Sequence, residues 1–172
     1  MIEPPHFVIA YWLLPAAPAR DFFRETIRRL AAKYDASLFE PHLTLAVGPD
    51  FPGEVNRTLA GLASGSVELR AVDVAFTSKF TKTLFVRFES SPPLLQLRDS
   101  LGAEGDETFD PHVSLLYKKL PAEQQARLAA EIQLPFPAVI FDTVAATRCR
   151  LPVATGADVA LWESIAARRL DE

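Results

Sequence analysis

Two short stretches of the sequence place a histidine two residues before a hydroxyl side chain. The first is FEPHLTL, residues 39–45, which contains His42 and Thr44, and the second is FDPHVSL, residues 109–115, which contains His112 and Ser114. In an extended strand alternate side chains point to the same face, so each histidine shares a face with its hydroxyl residue. The repetition predicts two matching polar units in one chain.

Two imidazoles and two hydroxyls that meet across one groove can open a cyclic phosphodiester. A neutral imidazole accepts a proton from water while an imidazolium donates one to a leaving alkoxide, and each transfer contributes about 10²–10⁴-fold to the rate. The hydroxyls of Thr44 and Ser114 then donate hydrogen bonds to oxygens that carry developing charge. One copy of the motif alone is more typical of a buried histidine with a local hydrogen bond, so the hypothesis depends on the pair.

Other hydrolytic chemistries fit the sequence less well. The Gly-x-Ser-x-Gly motif of a serine hydrolase and a glycine-rich phosphate loop are both absent from the sequence. A zinc site could take His6 as a third ligand beside His42 and His112, but no dense cluster of metal ligands supports it. The single cysteine, Cys149, excludes an intramolecular disulfide and a thiolate cage. We therefore predict no metal and no cofactor.

Composition predicts one soluble globular domain that spans residues 1–172. The chain is 49% hydrophobic and 23% charged, and no stretch reaches the roughly 18 apolar residues that span a bilayer. The first residues carry an acid and prolines instead of the basic residues of a secretory signal, so we expect a cytoplasmic protein without a membrane partner. The net charge of −4 disfavours long nucleic acids and favours a small cyclic nucleotide as substrate. We also expect a monomer.

Hydrophobic patterns predict that each motif opens a strand that is followed by a helix and further strands. The pattern gives two weakly similar α+β halves. The strands are predicted at 6–14, 42–48, 66–80, 83–90, 111–117, 137–151 and 157–170. The helices are predicted at 18–34, 53–63, 91–101 and 120–134. Glu40 and Asp110, which precede the motif prolines, are predicted to be solvated loop acids, although either could orient a histidine.

The motifs and their surroundings resemble a known family. HLTL and HVSL resemble the signature of the 2H phosphoesterase superfamily. YWLLP, EPHLTLAVG, DPHVSLLYKKLPAEQ and LWESIA are similar, in the same order, to its plant and fungal cyclic phosphodiesterase branch. The resemblance covers nearly the whole chain. It implies a bilobal α+β fold in which two antiparallel sheets line a central groove, with helices outside.

The resemblance also implies an activity that needs no metal. The branch hydrolyses ADP-ribose 1″,2″-cyclic phosphate to ADP-ribose 1″-phosphate, and nucleoside 2′,3′-cyclic phosphates to 2′-phosphates. By resemblance, His112 is the base that activates water, His42 is the acid that protonates the leaving oxygen, and Thr44 and Ser114 hold the phosphate.

Two aromatic residues complete the site that the resemblance implies. Tyr117 matches a tyrosine that reaches the phosphate, which requires a bulge or a bend because ideal alternation turns it away from His112. Trp12 matches a tryptophan beside the groove that could stack on a base, although a tryptophan in an apolar strand is equally typical of a core. A third aromatic contact, from Phe80 near Lys82, is matched only loosely.

Two other functions remain open. One is an RNA 2′,3′-cyclic phosphodiesterase or 2′-5′ RNA ligase of the same superfamily, which would need a basic track toward the groove. The other is a module that binds a nucleotide without catalysis, for which the loss of a motif residue would be typical. All four motif residues are present.

Overall fold

The structure, a computed structural model, describes residues 2–103 and 108–172. The strands are β1 (His6–Pro15), β2 (Leu43–Pro49), β3 (Val67–Phe76), β4 (Leu84–Phe88), β5 (His112–Leu116), β6 (Ala138–Leu151) and β7 (Glu163–Arg169). The helices are α1 (Ala19–Tyr34), α2 (Val55–Ala60), α3 (Pro92–Ser100), α4 (Ala122–Glu131) and α5 (Gly156–Ala160), with short 3₁₀ turns at Pro52–Glu54 and Phe80–Lys82. The predicted α+β class is confirmed.

The seven strands of the described ranges are antiparallel members of one sheet. Their order is β1-β2-β5-β4-β3-β6-β7, and β1 also pairs with β6. The first residues of β6 pair with β3, whereas its later residues pair with β1 and β7. β2 and β5 meet through one residue pair, Leu43 with Val113. The two sheets expected from the resemblance are therefore joined into a single sheet, through β6 on one side and this pair on the other.

Amphipathic helices cover the sheet as their sequence patterns predict. In α1 the residues Phe23 and Ile27 are at most 2% exposed, whereas Arg24 and Arg28 on the opposite face form ion pairs at the surface. α1 packs against β5 and α3 against β2, the two strands that carry the motifs, while α4 packs against β3 and α2 against β7. Burial of one such large apolar side chain contributes roughly 1.5–3 kcal/mol. Helix packing thus fixes the strands that carry the two motifs.

The predicted strand at 157–170 is wrong in its first part. Residues Gly156–Ala160 form α5, and β7 begins only at Glu163. The carboxylate of Asp158 accepts hydrogen bonds from the backbone N–H and the hydroxyl of Thr155, at 3.0 and 3.1 Å. This contact between the cap and the third helical residue stabilises a helix start, and it overrides the β-like apolar pattern that follows.

Among the helices of the described ranges, none is long and apolar enough to cross a bilayer.

Candidate active site

The two motifs lie side by side because β2 and β5 pair near their first residues. Leu43 and Val113 face each other across the pair and are both 0% exposed. Since side chains alternate along a strand, the residues that flank Leu43 and Val113 point to the opposite face. These flanking residues are the two histidines and the two hydroxyl residues. The pairing of two apolar residues therefore brings both polar units together.

The two histidines and the two hydroxyl residues all line one cavity of about 250 Å³. Every site residue predicted from the sequence lines it: Trp12, His42, Thr44, His112, Ser114 and Tyr117. His42 is only 6% exposed and Ser114 only 4%. The structure therefore brings the six side chains together, while the role of each in a reaction stays a prediction.

The two histidine rings are oriented by identical backbone contacts. Nδ1 of His42 lies 2.7 Å from the carbonyl oxygen of Glu40, and Nδ1 of His112 lies 2.7 Å from the carbonyl oxygen of Asp110. A carbonyl oxygen only accepts hydrogen bonds, so Nδ1 must carry the proton in both rings. In the neutral ring Nε2 then carries the lone pair. Each neutral ring therefore has the tautomer in which Nε2 can act as a base.

The acids before the motif prolines do not contact the histidines through their carboxylates. The Glu40 carboxylate pairs with Arg24 at 2.6 Å, and the Asp110 carboxylate pairs with Lys82 at 2.7 Å. Both acids lie in the loops before β2 and β5, keep 36% and 37% of their side-chain surface exposed, and form ion pairs there. Their backbone carbonyls, and not their charges, orient His42 and His112.

Burial keeps both imidazoles neutral. Desolvation lowers the pKa of His42 from 6.5 to about 4, against a smaller opposite effect of the Glu40 carbonyl, and the nearby His112 lowers it further. Desolvation also lowers the pKa of His112, and the positive charge of Lys82 acts in the same direction against the Asp110 carbonyl. At neutral pH both Nε2 atoms can therefore accept a proton.

A β-bulge in each motif strand turns the following residues. Thr44 pairs with Trp12 and Ala46 with Tyr11, so Leu45 is the extra residue in β2. In β5 the extra residue is the corresponding leucine, Leu115, since Ser114 pairs with Phe85 and Leu116 with Leu84. A bulge shifts the alternation by one residue, which places Tyr117 on the cavity side. The bulge that the Tyr117 prediction required is thus present.

The hydroxyl groups of the second motif form a short chain. Ser114 Oγ donates to the carbonyl oxygen of Thr81 at 2.9 Å. Burial raises the pKa of the Tyr117 hydroxyl, against a smaller lowering by its hydrogen bond to Ser114. Tyr117 therefore stays protonated and can donate a hydrogen bond to an anion.

Aromatic rings surround the first histidine more closely than the second. The Trp12 ring stacks on His42 with centroids 3.7 Å apart and planes 14° apart. The edge of Phe85 faces His112 at 5.3 Å. Trp162 contacts the rings of Trp12, His42 and Tyr117 at 5.2, 5.8 and 5.6 Å. The two halves thus share a backbone frame but differ in the groups that contact each imidazole.

Among the lining residues that were not predicted as site residues, Trp162 and Lys82 bring an aromatic ring and a charge to the cavity. Trp162 lies far from both motifs in sequence, and only the pairing of β7 with β6 brings it near Trp12. Lys82 lies in the 3₁₀ turn between β3 and β4. Both residues lie in segments, LWESIA and Phe80–Lys82, that only the family resemblance connects with the site. The hydrophobic pattern around Trp162 and around Lys82 does not predict that either side chain faces the cavity.

The third histidine lies outside the cavity. Nδ1 of His6 contacts the carbonyl oxygen of Pro4 at 3.1 Å, and the Glu3 carboxylate is 3.7 Å away. Within residues 2–103 and 108–172, no three His, Cys, Asp or Glu side chains lie close enough together to hold a metal ion.

Known proteins share this fold. The Thermus thermophilus protein TT0787 superposes with a TM-score of 0.60 at 16% identity, over 95% of this chain and 98% of that chain. Escherichia coli LigT in its apo form gives a TM-score of 0.56 at 16% identity, over 99% of this chain and 100% of that chain. A protein described only as a phosphoesterase gives 0.58 at 16% identity, over 97% and 100%. No functionally curated protein matches the chain.

A match to a protein-family model shows the family to which the chain belongs. The model of the 2′-5′ RNA ligase superfamily matches residues 14–147, a range that contains both motifs and most of the chain. The resemblance of HLTL and HVSL to the 2H phosphoesterase signature is confirmed, whereas the cyclic phosphodiesterase branch stays a prediction. The chain belongs to the 2′-5′ RNA ligase superfamily of 2H phosphoesterases, which are enzymes that act on phosphodiester bonds.

Proposed function

We propose that the protein hydrolyses small cyclic phosphodiesters without a metal. Its substrates are nucleoside 2′,3′-cyclic phosphates, which give 2′-phosphates, and ADP-ribose 1″,2″-cyclic phosphate, which gives ADP-ribose 1″-phosphate. The observation that carries this proposal is that both histidines and both motif hydroxyls line one cavity. Their Nδ1 atoms are occupied by carbonyl oxygens, so the two Nε2 atoms are free for proton transfer.

Each proton transfer has one donor and one acceptor. Nε2 of His112 takes a proton from water as the water oxygen bonds to phosphorus. The bond from phosphorus to the 3′ oxygen breaks, and the imidazolium of His42 gives its proton to that oxygen. Thr44 donates a hydrogen bond to another phosphate oxygen, where negative charge increases in the transition state. Ser114 and Tyr117 donate in the same way once the substrate replaces their present partners, the Thr81 carbonyl and Ser114.

The acid must gain its proton when the substrate binds. An anion in the cavity raises the pKa of both histidines, since it favours the charged ring. The face of Trp12 stabilises a cation on His42, whereas Lys82 opposes a cation on His112. Burial opposes protonation more strongly at His42 than at His112. The assignment of His42 as the acid therefore requires that the anion and Trp12 outweigh this burial.

The charge of the cavity suits a singly charged cyclic phosphate group. Of the described side chains that line it, Lys82 is the only permanent cation, and Asp110 partly neutralises it. A cyclic phosphodiester carries one negative charge, whereas the phosphomonoester product carries close to two at neutral pH. The site is thus better matched to the substrate than to the product. Among structural neighbours, E. coli LigT has been crystallised with phosphate and with 3′-AMP.

Removal of either histidine should strongly slow turnover. We expect His42→Ala and His112→Ala to lower kcat for adenosine 2′,3′-cyclic phosphate by at least about 10²-fold each, because each removes one proton transfer. The assay contains EDTA, and His6→Ala, which changes the histidine outside the cavity, is the matched control. Unchanged rates in either cavity variant would sink the two-histidine mechanism.

The name of the family supports a second candidate, an enzyme that acts on RNA ends. Such an enzyme should process an RNA with a terminal 2′,3′-cyclic phosphate much faster than the cyclic mononucleotide. Comparison of kcat/KM for the two substrates separates the candidates. A strong preference for the RNA would replace the proposed small substrate and keep the two-histidine chemistry.

A further inference from the structure

The loop between β3 and β4 forms one side of the candidate active site. This β3–β4 loop spans residues 77–83, and its Thr81 and Lys82 line the cavity. The Thr81 carbonyl oxygen accepts the hydrogen bond of Ser114 Oγ at 2.9 Å. The Lys82 ammonium group pairs with the Asp110 carboxylate at 2.7 Å. The loop is therefore in contact with a motif hydroxyl and with the acid two residues before the second histidine.

A buried glutamine on α4 holds both ends of this loop. Gln125 is 3% exposed, and its Nε2 donates to the carbonyl oxygens of Thr77 at 2.8 Å and of Thr83 at 3.0 Å. These are the first and the last residue of the loop. Both partners are carbonyl acceptors, so the amide NH₂ group must face them. A buried amide is costly unless its hydrogen bonds are made, and here the two ends of the loop make them.

Hydrogen bonds inside the loop connect its ends to the residues in the cavity. The hydroxyl and the backbone N–H of Thr77 both donate to the Lys82 carbonyl oxygen, at 2.6 and 3.0 Å. The hydroxyl of Thr83 donates to the Phe80 carbonyl oxygen at 3.0 Å. Phe80 and Lys82 are the neighbours of Thr81 in the chain. Loss of the amide donors on α4 would therefore let the lining residues of the loop move.

We propose that Gln125 is a positioning residue of the reaction, because it fixes the loop that presents the Thr81 carbonyl and the Lys82 ammonium group to the second motif. This inference rests on the proposed function, in which His112 is the base. Gln125 lies on α4, outside the cavity lining, and so acts through the loop. A purely structural amide would only attach α4 to the sheet. The two roles differ in what a substitution does to the base.

The pKa of His112 reports the position of the loop. The charged or titratable groups of the neighbouring elements that face His112 are Lys82 on the loop, Asp110 before β5, His42 on β2 and Arg87 on β4, which is paired with Asp73. Burial lowers the pKa of His112 most, the Lys82 charge lowers it as well, and Asp110 raises it. A loop that moves outward takes the Lys82 charge away and admits water. Both changes raise the pKa of His112.

The test variant is Gln125→Met, because methionine has nearly the same length as glutamine and carries no N–H donor. In an NMR titration of the free protein, the pKa of His112 should rise above the parental value, as it should in Lys82→Met. Gln124→Met, which changes the half-buried neighbour on α4, is the matched control and should titrate like the parent protein. A parental pKa of His112 in folded Gln125→Met would overturn the positioning role.

A milder variant keeps the test independent of the stability of Gln125→Met. Thr77→Val removes the hydroxyl that donates to the Lys82 carbonyl oxygen and keeps the backbone N–H that donates to the same oxygen. It should raise the pKa of His112 in the same direction. A parental pKa in this variant would contradict the path through the loop.

Kinetics give the second readout. We expect Gln125→Met to lower kcat for adenosine 2′,3′-cyclic phosphate by about tenfold or more, because a misplacement of about 1 Å can cost about 10²-fold. The acid limb of log kcat/KM should also move to higher pH. A loss of stability in urea with parental kcat and a parental pH profile would show a merely structural glutamine and overturn the proposal. If the pKa of His112 rises as expected and the parent protein hydrolyses no cyclic phosphate, the role of Gln125 in fixing the loop stands and the proposed function fails.

Discussion

At the scale of single residues, the two histidines differ only in what lies around an identical frame. Both rings donate from Nδ1 to the carbonyl two residues earlier, at 2.7 Å. His42 has a tryptophan face against it, whereas His112 lies near the ammonium group of Lys82. Chemical asymmetry between two copies of one motif therefore comes from their neighbours. Lys82 is the neighbour whose charge can be removed by substitution.

Loss of the Lys82 charge should shift the pH profile of the reaction. Lys82 lowers the pKa of His112, and Asp110 raises it. In Lys82→Met the lowering disappears and Asp110 loses its partner, so the pKa of His112 rises. Since the base must be neutral, the acid limb of log kcat/KM against pH should move to higher pH. Lys82→Arg should restore the parental profile.

The control for this prediction is Lys79→Met. Lys79 is exposed and next to the same 3₁₀ turn, so the change in net charge is equal. A general effect of surface charge would shift both profiles alike. Equal profiles in Lys82→Met and the parent protein would contradict a role of Lys82 in setting the pKa of His112.

At the scale of elements, periodicity predicted much of the fold but not the exceptions to it. Alternation placed His42 and Thr44 on one face, and the 3.6-residue pattern predicted α1. The bulges at Leu45 and Leu115 depend on the register of the partner strands, which no local pattern contains. α5 was missed because its cap, Thr155 with Asp158, is a weaker signal than the apolar residues beside it. Local patterns thus predicted elements, and tertiary pairing decided their irregularities.

The packing of α5 can be tested at its first residue. A Cβ atom on Gly156 would lie 2.6 Å from Ser37 Oγ, and this hydroxyl donates to the Gly156 carbonyl at 3.3 Å. Gly156→Ala should therefore displace Ser37 and cost about 1 kcal/mol of unfolding free energy. In a Ser37→Ala background the same change should be neutral or stabilising, since alanine favours a helix over glycine by up to about 1 kcal/mol.

Urea unfolding of the four proteins in this cycle measures the coupling between the two positions. The control cycle replaces Gly156→Ala with Gly53→Ala, because a Cβ on Gly53 has open space around it. Distant sites without shared contacts are expected to be additive. Additive effects of Ser37→Ala and Gly156→Ala would contradict the contact between α5 and the segment before β2.

At the scale of the whole molecule, one sheet positions both the reactive groups and the two tryptophans beside them, Trp12 and Trp162. The family model matches residues 14–147, which include the four motif residues but neither tryptophan. Trp12 and Trp162 reach the site because β1 and β7 both pair with β6. Sequence reasoning could predict the motif residues from their repetition. It placed Trp12 beside the groove only through the resemblance, and it did not predict Trp162, which lies at the opposite end of the chain from Trp12.

The burial of the histidines should make the whole fold sensitive to acid. The pKa of His42 is 6.5 in an ordinary environment and about 4 in the folded protein, so the unfolded chain binds the proton more tightly. Stability from neutral His42 is complete above pH 6.5 and is lost as the pH falls to about 4. The loss amounts to about 3 kcal/mol. His112 acts in the same direction, since its pKa is also lowered.

Urea unfolding between pH 7 and pH 4.5 can isolate this effect, since the carboxylates of Asp50 and Asp158, whose pKa values are lowered from 3.8, protonate only at lower pH. We expect the unfolding free energy of the parent protein to fall over this interval. His42→Asn should flatten the dependence, because asparagine can keep the N–H that faces the Glu40 carbonyl and does not titrate. His6→Asn, which alters a histidine outside the cavity, should keep the parental slope. If His42→Asn were to lose as much stability as the parent on acidification, the neutral buried imidazole would not be the source of the acid sensitivity.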